Sequence, residues 1–141
     1  ARKMVIVARE LGFEIELDDV EVESLVPEGM EDLTVDAFLS ALADADAAMS
    51  ARVLDALNQK SCLRYIATLD SDGRVSVALQ TVPQSDTFAR LALTDNMIRI
   101  RSDRYATNQL VIQGPGAGPE VTAAGIFADL LRLADRLRWP T

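Results

Sequence analysis

The fold is decided by a paired-strand sequence at residues 62–82, which reads CLRYIATLDSDGRVSVALQTV. Two apolar runs, 62–69 and 74–82, flank the turn sequence DSDG, in which Gly73 can adopt the positive φ of a tight connection. The second run alternates apolar and polar residues, as expected of a strand with one covered face. The stretch therefore predicts an antiparallel hairpin that packs against another layer.

Helical and strand patterns surround this hairpin. Residues 13–25 alternate acidic and apolar side chains, which predicts one or two short strands with a turn at Asp18 and Asp19. Asp44 and Asp46 can cap a second helix, which predicts a break near residues 43–45. The other predicted elements are helices over 1–11, 34–59 and 120–138, a strand over 97–102 and a more buried strand over 109–113. Together they predict an α+β fold, a mixed β-sheet with helices packed on one face.

The composition excludes several classes of function. The chain has 141 residues, of which 49% are hydrophobic, and a net charge of −8. The acidic balance predicts no nucleic-acid partner and no anionic membrane surface, and no apolar run is long enough to span a bilayer. There is no histidine, and the single cysteine, Cys62, cannot form an internal disulfide. We therefore expect no metal site and a reducing, cytoplasmic location.

A glycine-rich stretch, QGPGAGPEVTAAG, spans residues 113–125. Its spacing fits neither the phosphate loop G-x-x-x-x-G-K-[ST] nor the dinucleotide fingerprint G-x-G-x-x-G. Gly118 is expected at the N-cap of the last helix with Pro119 as its first residue, and Glu120 in the first turn competes with a bound phosphate. Two interpretations stay open: tight strand-to-helix packing without a ligand, or close approach of a flat, neutral ligand group.

The stretch LVIQGPGAGPEVTAAGIFADLLRL, at residues 110–133, resembles the C-terminal segment of homoserine dehydrogenases. The opening ARKMVIVARELG, at 1–12, resembles the end of that family's signature G-x-D-x-x-x-K, with Lys3 as the lysine. Residues 63–82 and 95–105 are similar to the family's central strands. The resemblance covers nearly the whole chain, and the first helix is most like the bifunctional aspartokinase–homoserine dehydrogenases.

The resemblance implies an oxidoreductase that interconverts L-aspartate 4-semialdehyde and L-homoserine with NADP or NAD, on the way to threonine and methionine. It implies a homo-oligomer and two regions: a catalytic and dimerisation segment over 1–113, and a turn and helix over 114–141 that return to the cofactor-binding region. Most of the dinucleotide-binding domain and the acidic substrate ligands would lie upstream of Ala1. The chain is therefore expected to be a fragment that is inactive alone.

Three residues receive roles from the resemblance. Lys3 matches the lysine that donates a proton to the substrate carbonyl oxygen, whereas judged by itself it is a solvated helix lysine. Gly118 matches a glycine that lies against the cofactor near its nicotinamide end, and Gly116 is a weaker companion. The competing hypothesis is a non-catalytic dimerisation or regulatory module derived from the same fold. The residues encoded just before Ala1 distinguish the two, because only the enzyme requires a G-x-D there.

Overall fold

The structure, a computed structural model, describes residues 1–92 and 94–137. Helices and strands are interspersed along these ranges, and three short 3₁₀ segments occur at Leu17–Asp19, Leu42–Ala45 and Thr87–Arg90. The elements are α1 (Arg2–Glu10), β1 (Glu21–Val22), α2 (Val35–Ala41), α3 (Asp46–Asn58), β2 (Ser61–Leu69), β3 (Val75–Pro83), β4 (Asp95–Ile100), β5 (Leu110–Pro115) and α4 (Pro119–Leu137). The α+β class is confirmed. Of the predicted last helix, residue 138 lies outside the described residues.

The hairpin expected from residues 62–82 is present. Strands β2 and β3 pair antiparallel in continuous register, and the turn between them places Gly73 at a φ of +86°. Strand β1 pairs with β3 in the parallel direction, so the order β1-β3-β2 forms a three-stranded mixed sheet. Strands β4 and β5 form a separate antiparallel pair. The single mixed sheet expected from the sequence is therefore divided into two sheets.

The hydrophobic core lies where α1 meets β3. Val75 and Ala8 are fully buried. At Gly73, where φ is +86°, the backbone lies close to the half-buried ring of Phe13. A Cβ at Gly73 would lie 2.6 Å from a ring carbon of Phe13, so the core itself requires glycine there. The buried members of this cluster are Val5, Ala8, Ile15, Val20, Val75 and Val77.

One local expectation is confirmed and another is wrong. Of the one or two short strands predicted over 13–25, the structure has one, β1, and the predicted turn at Asp18 and Asp19 lies in the 3₁₀ segment, where the Asp19 carboxylate accepts the Glu16 N–H at 2.8 Å. The predicted break between two helices is confirmed, but Asp44 and Asp46 do not cap α3. Its N-cap is Ala45, which makes no side-chain cap hydrogen bond, because the 3₁₀ segment runs directly into the helix.

The chain divides into two compact units, Ala1–Ala89 and a second unit that begins at Arg90. The first contains α1 to α3, the mixed sheet and every buried residue that the structure describes. The second contains the β4–β5 pair and α4. Strand β5, predicted to be more buried than β4, has slightly more half-buried positions than β4, but neither strand has a buried residue, and Ile112 in β5 is 54% exposed.

Candidate catalytic and cofactor-binding residues

Lys3 lies in the first turn of α1, and its side chain is exposed. The helix is held by Val5 and Ala8, which are buried against the sheet. Because α-helical residues four apart share a face, Lys3, Val7 and Leu11 form an outward stripe, and the two apolar members are 44% and 66% exposed. The core thus fixes the helix while the ammonium group stays accessible.

The glycine-rich turn connects β5 to α4, as its sequence predicts. The Thr122 N–H donates to the Gly118 carbonyl at 3.1 Å, which makes Gly118 the N-cap, and Pro119 is the first helical residue. Gly118 has a φ of +127°, which side-chain-bearing residues rarely adopt, and no described residue other than its chain neighbours has an atom within 4 Å of the position of a Cβ there. This glycine therefore serves the backbone conformation and leaves open space beside it.

At Gly116, unlike Gly118, a neighbouring side chain occupies the space where a Cβ would lie. A Cβ at Gly116 would overlap the side-chain amide of Asn96, a β4 residue that pairs with Gly114. The Gly116 N–H also points towards the carbonyl of Thr94, at 3.5 Å. A close approach therefore explains this glycine, and the approaching group belongs to the protein itself. The sequence contained no sign of this contact, because Asn96 precedes it by 20 positions.

Charge at the turn agrees with the sequence-based reasoning. Glu120 occupies the first turn of α4, where a carboxylate already interacts favourably with the helix dipole. The turn therefore suits a neutral ligand group better than a phosphate. Within residues 1–92 and 94–137, no cluster of three or more carboxylate or thiol side chains is arranged to hold a metal ion.

The predicted site residues fall in both units. Gly116 and Gly118 lie on one turn of the second unit, whereas Lys3 belongs to the first. Sequence reasoning also missed a polar cluster around Glu23, whose carboxylate binds groups from two other elements. Its only sequence signal is an acidic residue directly after a two-residue strand, Glu21–Val22, which is too common to be informative.

The arrangement defines an α+β module with an accessible lysine on its first helix and a bare glycine turn before its last helix. The homoserine dehydrogenase family model matches residues 1–131. The chain belongs to the homoserine dehydrogenase family.

Similar proteins agree with this assignment. The chain is 41% identical to the chloroplastic bifunctional aspartokinase/homoserine dehydrogenase 2 of Arabidopsis thaliana, covering 100% of the chain and 16% of that protein. It is 42% identical to bifunctional aspartokinase/homoserine dehydrogenase 2 of Escherichia coli, covering 96% and 17%. It is 40% identical to the homoserine dehydrogenase of Saccharomyces cerevisiae, covering 97% and 39%. The chain thus spans well under half the length of these relatives.

A solved structure shows the same fold. A crystal structure of a Candida auris protein described as of unknown function superposes with a TM-score of 0.85 at 41% identity. The match covers 96% of this chain and 38% of that one. Among the residues described here, none of the helices is both long and apolar enough to cross a membrane.

Proposed function

We propose that the chain is the catalytic and C-terminal segment of an NAD(P)-dependent homoserine dehydrogenase, most like the bifunctional aspartokinase type. Its reaction would interconvert L-aspartate 4-semialdehyde and L-homoserine in threonine and methionine biosynthesis, in the cytoplasm. The observation that carries the proposal is the family match over residues 1–131, which includes Lys3 and the glycine turn.

Lys3 is the proposed proton donor. Addition of a hydride to the aldehyde carbon places negative charge on the carbonyl oxygen, and an ammonium group beside that oxygen stabilises the charge and then transfers a proton to it. The exposed position of Lys3 on a helix anchored by Val5 and Ala8 supports this role, because the ammonium is free to meet a substrate while its helix stays fixed.

The nicotinamide cofactor, NADP or NAD, supplies the hydride when it is bound. Gly118 is the residue proposed to lie against its nicotinamide end, with Gly116 as a weaker companion. The open space beside Gly118 fits a flat, neutral ring, and Glu120 opposes a phosphate at the same helix end. The chain contains no G-x-G-x-x-G fingerprint, so the rest of the cofactor would be bound by segments outside this chain.

The assignment of separate functions to two regions of the chain is also a proposal. Residues 1–113 would form the catalytic and dimerisation segment of a homo-oligomer, and residues 114–141 would return to the cofactor-binding region. Exposed apolar side chains support both assignments: Ile98 and Ile112 are cross-strand partners that are 58% and 54% exposed, and Phe127 of α4 is 62% exposed. Faces of this kind are typical of interaction surfaces.

The test is an assay of homoserine oxidation with NADP in the intact protein. Replacement of Lys3 by Ala is expected to lower kcat about 10²- to 10⁴-fold, the usual contribution of a positioned acid. Arg2→Ala is the matched control, because it removes the same charge from the same helical turn. Retained activity in the Lys3 variant contradicts the proton-donor role. The 141-residue chain assayed alone should show no turnover, since binding and chemistry require groups held together.

The glycine assignments need a test that separates packing from cofactor contact. Gly116→Ala should damage the turn through Asn96, and the added change Asn96→Ala should relieve that overlap. If Gly116 also meets the cofactor, the double variant keeps a raised KM for NADP while its stability recovers. Complete recovery of both quantities would leave Gly116 with a packing role alone.

The second candidate function is a non-catalytic dimerisation or regulatory module. The exposed apolar faces of the second unit favour it as much as they favour the enzyme. The residues encoded just before Ala1 distinguish the two, because a G-x-D ending and an upstream glycine-rich βα turn are needed only for catalysis.

A further inference from the structure

The polar cluster around Glu23 lies at the edge of the mixed sheet, where β1 ends. Strand β1 pairs with β3 through Glu21 and Val22 only. The backbone N–H of Glu23 continues this pairing by donating to the Val77 carbonyl at 2.8 Å. In a regular parallel ladder, the next bond would run from the Leu79 N–H to the backbone carbonyl of Glu23.

In the structure, two hydrogen bonds made by side chains replace that backbone bond. The Leu79 N–H donates instead to the Glu23 carboxylate, at 2.9 Å, and the backbone carbonyl of Glu23 accepts the Tyr65 hydroxyl from β2, at 2.7 Å. The side chain of Glu23 thus takes the place of its own backbone carbonyl in the ladder. Without this carboxylate, a half-buried backbone N–H at the sheet edge would lose its acceptor.

The same carboxylate also reaches helix α3. Its other oxygen accepts a hydrogen bond from the Arg52 guanidinium at 3.0 Å, and the two side chains are 37% and 45% exposed. The charged and titratable groups that contact Glu23 are therefore Arg52 from α3 and Tyr65 from β2, while β3 contributes backbone groups. One carboxylate thus connects the sheet edge to helix α3.

We infer that Glu23 is an acid-sensitive clasp, whose ionised carboxylate extends the β1–β3 pairing and holds α3 to that edge, and whose protonation opens the connection. A neutral carboxyl group attracts Arg52 less and is a weaker acceptor for the Leu79 N–H. The inference concerns this edge of the fold and does not depend on the proposed catalytic function.

The electrostatics agree with the geometry. The hydrogen bond from Arg52, and next the one from the Leu79 N–H, hold the pKa of the Glu23 carboxyl below its ordinary value of 4.5. A group whose pKa is lower in the folded state stabilises that state above its unfolded pKa, and the contribution is lost as the pH falls through the folded value. The clasp is therefore closed at neutral pH and opens in acid.

Hydrogen exchange of β3 peptides in the intact protein tests the clasp directly. The intrinsic exchange rate of the Leu79 amide depends on its sequence neighbours, so substitutions at Glu23 leave that reference unchanged. At about pH 7, Glu23→Ala should accelerate exchange of this amide roughly tenfold or more, because a charge-assisted acceptor is lost. Glu21→Gln is the control, since it neutralises an acidic side chain of β1, two residues before Glu23, that makes no polar contact in the described structure.

A second comparison keeps the test decisive if Glu23→Ala fails to fold. Glu23→Gln retains the shape of the side chain and an amide oxygen but removes the charge, and we expect faster Leu79 exchange than in the parent at neutral pH. This difference should shrink as the pH falls through the lowered folded pKa of the Glu23 carboxyl, where the parent carboxylate is itself protonated. Exchange in Glu23→Gln that matches the Glu21→Gln control at neutral pH, or a difference that persists undiminished at a pH below that folded pKa, would overturn the inference.

Discussion

The two compact units contain similar kinds of side chain and bury them very differently. In the first unit, Val75 and Ala8 are completely removed from solvent. In the second, none of the described residues, 90–92 and 94–137, is buried, and Phe127 and Leu137 on α4 are 62% and 75% exposed. The comparison shows that an amphipathic pattern specifies which side of a helix needs a partner without supplying the partner. A unit of one hairpin and one helix also has a high ratio of surface to volume, which leaves little interior for buried side chains.

The largest expected effect compares one substitution in both units. Val75→Ala should lower the free energy of unfolding of the 141-residue chain by about 2 kcal/mol, because it removes buried methyl groups and leaves a cavity. Val121→Ala, at a position 40% exposed on α4, should change it by less than about 0.5 kcal/mol. Urea denaturation followed by circular dichroism measures both. Equal losses would show that the second unit has a core of its own.

An effect of about the same size is expected where the first unit's core meets its hairpin turn. Gly73→Ala should destabilise the chain by about 2 kcal/mol, because the new Cβ meets Phe13 in a backbone conformation already unfavourable for alanine. Gly29→Ala is the control. It has a φ of +83° but nothing within 4 Å of the new Cβ, so it should show only the conformational part, about 1 kcal/mol. If thermal unfolding gives the same loss for both variants, the Phe13 ring moves aside freely and the core is looser than its burial indicates.

The smallest effect concerns α2, a part of the first unit that resembles the second because it has no buried residue. The stability of such a helix depends on the hydrogen bonds that cap its ends. Thr34→Ala should cost about 0.5–1 kcal/mol, because the Thr34 hydroxyl oxygen accepts the Ala37 N–H at 3.4 Å. Asp46→Ala, at the residue once expected to cap α3, should cost no more than about 0.5 kcal/mol. Helix content measured by circular dichroism across a temperature series compares them, and a larger loss for Asp46 would reinstate it as the cap.

Local patterns predicted most of the elements because their causes are local. The apolar alternation and DSDG turn placed β2 and β3 within a residue of their observed ends, and the Gly118-Pro119 pair marked the start of α4. An error occurred where a neighbouring segment competes with the pattern. The 3₁₀ segment before α3 leaves no room for an aspartate cap.

The candidate site was predictable only in part. Lys3 and Gly118 could be proposed from the sequence, because the segment around Lys3 resembles the end of the family's signature and Gly118 precedes a helix start. The reason for a glycine at position 116 could not be recognised from the sequence, because Asn96 reaches it from the neighbouring strand β4. The Glu23 clasp was equally hidden, since Arg52 lies 29 and Leu79 lies 56 positions away along the chain.

The sequence by itself determined the α+β class, the hairpin, the capped glycine turn and the family to which the chain belongs, because periodicity, turn chemistry and motif spacing are properties of neighbouring residues. Tertiary structure alone decided that the strands form two sheets and that, among residues 1–92 and 94–137, burial is confined to the first unit. It also decided that a carboxylate completes the ladder at the sheet edge. Each of these depends on contacts between residues far apart in the chain, which pairing register and side-chain packing select together.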